Sequence, residues 1–68
     1  MENPIFVIQT SWPKVRIALF RREDGLFQFF EQVMRASGYE HNDGSGLYDD
    51  ENVARADMIR YAEEYEET

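Results

Sequence analysis

The sequence predicts a small α+β domain in which a β-hairpin, extended by a third short strand, packs against two α-helices. Three observations predict it. Residues 6–10 and 15–22 are rich in β-branched and aromatic side chains and flank the turn-forming stretch Ser11-Trp12-Pro13-Lys14. Leu26, Phe27, Phe29, Phe30, Val33 and Met34 then recur at helical spacing, opposite Gln28, Glu31, Gln32 and Arg35. Ala54, Met58, Tyr61, Ala62 and Tyr65 form a second stripe of the same period.

Each element carries its own local signals. In the second strand Val15, Ile17 and Leu19 point one way, and Arg16, Ala18, Phe20 and Arg22 the other. The first helix has Asp24 as N-cap and Gly38 at the left-handed residue that closes a helix C-terminus. Residues 39–47 supply the third strand. The second helix starts at Asp49 or Asp50; with Asp49 as cap, Tyr48 and Val53 take the positions of a hydrophobic staple. Glu63, Glu64, Glu66 and Glu67 crowd its C-terminal end, where negative charge opposes the helix dipole.

The chain of 68 residues has room for one domain over residues 1–68, and with no cysteine it rests on packing alone, to which ten aromatics contribute. An acid near the start, where a signal peptide needs positive charge, and an apolar run (Ile5 to Ile8) too short to span a bilayer point to the cytoplasm. The net charge of −7 is unevenly spread. Residues 1–38 hold five basic and four acidic side chains, whereas residues 39–68 hold two and ten. So acidic a chain is poorly suited to binding nucleic acid directly, which takes clustered Lys and Arg. A larger protein with a basic surface is the partner such a charge selects.

The stretch GYEHNDGSGLYDDE, residues 38–51, concentrates one His, three Gly and five acids. Compared with the calcium loop D-x-[DN]-x-[DN]-G-x5-E it fails in both registers: His41 or Tyr39 takes the first position, and Asn52 or Asp50 replaces the closing Glu. The same residues read well as a joint between helices. His41 is the sole histidine, so a His-pair zinc site is excluded, and the serines and glycines form neither a nucleophile elbow nor a phosphate cradle. The expectation is a non-enzymatic protein with no cofactor and no metal. A metal-dependent activity at residues 41–50 ranks third among the readings.

The carboxylates of the second helix carry the leading one. Asp57, Glu63, Glu64 and Glu67 stand off its apolar stripe and, with Asp49 and Asp50 at its start, are the expected contact groups, since a row of acids with interleaved tyrosines imitates a phosphate backbone. Trp12, at the hairpin tip beside Pro13, is a candidate contact hot spot. In size and charge the chain is similar to small acidic phage proteins that block bacterial defence nucleases, anti-CRISPR inhibitors among them, a likeness of character that brings no residue roles with it. The expected function is thus an inhibitor covering a basic, nucleic-acid-binding surface. The second reading is a homodimeric structural or regulatory protein that pairs through its hairpin, whose first strand is apolar on both faces.

Overall fold

The computed structural model describes residues 3–66. Among them are four strands and one helix: β1 (Phe6–Gln9), β2 (Val15–Arg21), β3 (Phe27–Arg35), β4 (Gly38–Gly44) and α1 (Glu51–Glu66). The strands form an antiparallel meander in the order β1-β2-β3-β4. The helix covers one face.

Register assigns every side chain to a face. Ile17 stands opposite Ile8 in β1 and Glu31 in β3, and Leu19 opposite Phe6 and Phe29. These residues face α1, and Ile17, Leu19, Phe27 and Phe29 close a core with Ala54, Met58 and Ala62. Phe6, Ile8, Tyr48 and Tyr61 pack around its edge. The helix meets the sheet along the i, i+4, i+8 row Ala54-Met58-Ala62, in which the two alanines let the backbones approach and Met58 fills the centre.

Two helices were expected; one is found. Residues 26–34, read as a helix, are β3, and the glycine-rich stretch read as an interhelical joint is largely β4, the extra strand expected somewhere in residues 39–47. The cause lies in a sequence with two periods. Phe27 and Phe29 are two apart and both buried, whereas on a helix they would diverge by about half a turn. Phe30 looks helical beside them because the opposite sheet face is also aromatic. Once β2 offers a full ladder, three Phe and one Val favour the extended form.

The glycines misled for a related reason. Gly38 has φ +119°, and Gly25 has φ +85°. A left-handed glycine closes a helix, but it also completes a tight hairpin after a type I turn. At Gly25 the turn is explicit: its N–H donates to the Arg22 carbonyl, and Asp24 accepts from the Leu26 N–H. Asp24 is therefore a turn residue rather than a helix cap. Hydrogen bonds from the Arg22 guanidinium, and then from Leu26, hold its carboxyl below the usual range. Gly38→Val is expected to cost roughly 1–2 kcal/mol, since no β-carbon residue is comfortable at that φ. A thermal melt several degrees below the parent checks it.

The helix is capped by Asp50, whose Oδ1 accepts from the Asn52 and Val53 N–H groups at 2.8 and 3.1 Å. Asp49 is not the cap, and the expected staple does not close: Val53 is exposed, while Tyr48 makes a bridge to Phe27. No helix among the described residues is long and apolar enough to cross a membrane.

Candidate functional site

The helix runs alongside β1 in the same direction, and three contacts along its length fix this. The Arg55 guanidinium lies 4.2 Å over the Phe6 ring, Ile59 and Ala62 flank Ile8, and the Glu66 Oε1 accepts from the Ser11 N–H at 2.6 Å. The last of these joins the acidic C-terminal turn of α1 to the β1–β2 loop. The loop also has hydrogen bonds of its own. The Thr10 hydroxyl donates to the Val15 carbonyl and accepts from the Trp12 N–H, and Val15 donates back to the Trp12 carbonyl. Trp12 projects from it 54 % exposed, rather than folding back over the sheet, the alternative that its place at a hairpin tip leaves open.

The structure therefore sorts the expected contact residues into two groups. Trp12, Glu63 and Glu64 share one end of the molecule; both glutamates are exposed and form no ion pair among the described residues. Asp49 and Asp50 lie at the other end of a 16-residue helix, roughly 24 Å away. Asp50 is occupied in capping. Asp57 accepts the Tyr48 hydroxyl at 2.8 Å and pairs with Arg60, so it fastens the chain entering the helix. Glu67 lies outside the described residues.

Acid is in excess on the helix side of the sheet. On the helix side stand Glu31, Glu40, Asp43 and the acids of α1, together with four cations: Arg21 over the Phe27 ring, Arg35 paired with Glu40, and Arg55 and Arg60 paired with Glu51 and Asp57. The opposite face presents Val7, Arg16, Ala18, Phe20, Gln28, Phe30, Gln32, Met34, Tyr39 and His41 from its strands, bordered at the β2–β3 turn by Arg22, Glu23 and Asp24. It holds a cluster the sequence reading missed. Phe30 and His41 stack with centroids 3.9 Å apart, Phe20 meets both edge-on, and Ala18 is fully covered beneath them. Arg16 lies over the Tyr39 ring and donates to Gln32, whose amide meets the His41 Nδ1. Gly44 makes room for it, since a Cβ there would come within 2.9 Å of the Phe30 ring. Alternation along residues 16–22 had already given this face its Phe20 and Arg16; the partners from β3 and β4 were hidden by the helix reading.

His41 is thus a packing residue in a strand. Asp43 lies beyond a register shift on the other face, opposite Glu31, so the histidine and that carboxylate of the 41–50 region are separated by the sheet. No group of three or more His, Cys, Asp or Glu able to hold a metal occurs among the described residues. A small recess of about 190 Å³ between Phe29, Glu31, Ser45, Tyr48 and Tyr61 contains the buried Glu31 carboxylate. Its oxygens accept from the Asn42 amide at 2.6 Å and the Tyr61 hydroxyl at 3.1 Å. The recess is satisfied from within.

Burial, then the bond to Glu31, pushes the Tyr61 phenol up from 10.0 to about 12. Because the folded pKa is the higher, the stabilisation is complete below pH 10.0 and is lost as pH rises toward about 12. Alkaline denaturation is therefore expected to begin in that window, and Tyr61→Phe to flatten the pH dependence there. Melting curves followed across the window, with phenolate absorbance as the titration signal, check both.

No family model matches this chain, nor does any curated protein or solved structure. Function has to be argued from the site.

Proposed function

We propose that this is a non-catalytic protein-binding protein, an inhibitor whose hairpin tip and helix C-terminus cover a basic, nucleic-acid-binding surface of a larger protein, as an anti-defence inhibitor would. The observation that carries the reading is the Ser11–Glu66 bond, which holds an exposed Trp12 beside the exposed Glu63 and Glu64. Large amphipathic aromatics next to charged groups supply anchoring and orientation together. The excess of acid on the helix side supports it: three of the four cations there, Arg35, Arg55 and Arg60, are already paired with Glu40, Glu51 and Asp57, and the exposed Glu63 and Glu64 lie beyond them. The sheet is the scaffold.

The test is affinity capture from a candidate host lysate, comparing the parent with Trp12→Ala and with the Glu63→Lys, Glu64→Lys pair, at low and high salt. One basic protein retained by the parent, released by salt and lost with both variants is expected. Retention that is indifferent to the variants would overturn the reading.

A further inference from the structure

The β1 edge of the sheet meets an open groove of about 700 Å³, lined by Ile8, Ile59, Ala62, Glu63 and Glu66. Two hydrogen bonds fix which backbone groups reach that edge. Thr10 donates to the Val15 carbonyl and Met34 to the Lys14 carbonyl, so the odd positions of β2 bond to β1 and the even ones to β3. Ile8 and Thr10 accordingly turn their N–H groups inward, the Ile5 N–H meets the Leu19 carbonyl at 2.8 Å at the start of the strand, and Val7 and Gln9 turn theirs to open solvent. The two edges of the sheet are unlike. Strand β4 is blunted by Glu40, Asp43 and a register shift, whereas β1 has no charged residue, proline or bulge within it.

We infer that β1 accepts an extended segment of the partner protein as a fifth strand, one whose helix-facing positions carry an apolar side chain beside Ile8 and Ile59 and a Lys or Arg beside Glu63. Strand addition supplies main-chain bonds at Val7 and Gln9, and the groove reads alternate side chains. Charge complementarity selects this occupant. Successive same-face residues of a strand stand roughly 7 Å apart, so a basic residue two positions from the apolar one reaches the carboxylate rim. A second copy of this chain is the poorer occupant, because its own residues 5–9 contain no cation to meet Glu63 and each copy carries a net charge of −7. The inference rests on the proposed basic partner and names the part of it that is held.

The probe is a backbone-cyclised β-hairpin peptide with one free edge of alternating Thr and Val/Lys, chosen because a preformed strand does not lose its ordering entropy on binding. Titrated into the isotopically labelled full chain, it is expected to shift the Val7 and Gln9 amides and slow their hydrogen exchange. A control peptide with Glu for Lys, and the Glu63→Lys variant, are each expected to bind about tenfold more weakly. Val7→Pro, melted first to confirm folding, is expected to abolish exchange protection at the edge. Shifts confined to the Phe20-Phe30-His41 face, equal affinity for both peptides, or a sedimenting dimer of the free chain would each overturn the inference. If a captured basic partner responds to Trp12→Ala while the β1 amides stay unprotected in its complex, strand addition fails and the proposed function stands.

Discussion

Replacing Met58 with alanine should bring the domain close to unfolding. Met58 is fully buried at the centre of the row that α1 buries against the sheet, between Ala54 and Ala62. The alanines have nothing to extend into the space, and the β2 and β3 backbones that face it are locked in a ladder of seven residue pairs. Collapse around the cavity is therefore limited. Losing a buried Met of this kind costs about 2–5 kcal/mol, while a chain this short has roughly 3–10 kcal/mol in all. The melting midpoint should fall by about 10 °C or more. A midpoint within a degree or two of the parent would mean that α1 does not close the core as described.

The second large effect falls on binding and leaves folding alone. Glu63 and Glu64 are exposed, form no ion pair among the described residues, and sit in the last turns of α1, where negative charge opposes the helix dipole. Changing both to Lys should preserve or slightly raise the melting temperature. Against a basic partner surface the same change replaces attraction with repulsion, and affinity should drop by orders of magnitude. Glu66 belongs to another class despite its neighbours, since its carboxylate holds Ser11 and so positions Trp12. Glu66→Ala should weaken binding by loosening the tip, with a smaller salt dependence than the double change.

The first hairpin and the C-terminal helix were legible because each has one period and distinct ends: β1 and β2 flank a loop containing Pro13, and Ala54, Met58 and Ala62 repeat every four residues beneath an Asp cap. Residues 26–44 were not. With aromatics facing both ways, FQFFEQV satisfies helical spacing and strand alternation at once, and only pairing with β2 decides between them. Gly25 and Gly38 could not arbitrate, because helix ends and hairpins make the same demand on φ. At the site, the late glutamates were legible as an excess of acid, whereas Trp12 at a hairpin tip was equally compatible with folding back over the sheet and with the exposure found. A cap at Asp49 or Asp50 was legible, and the structure selects Asp50; that Asp57 is occupied with Tyr48 and Arg60 could not be read from the sequence. Nor could the bond between Ser11 and Glu66, separated by 55 positions, which joins the hairpin tip to the end of the helix.

The central claim is that Trp12 and the C-terminal acids of α1 act as a single contact surface. A double-mutant cycle measured by calorimetry on the captured partner tests it directly, using Trp12→Ala, the Glu63→Lys, Glu64→Lys pair, and all three changes together. One surface predicts coupling, with the combined variant binding little worse than the charge-reversed pair, because anchoring by the tryptophan depends on the acids being seated. Strict additivity, or full affinity in any of the folded variants, would contradict it.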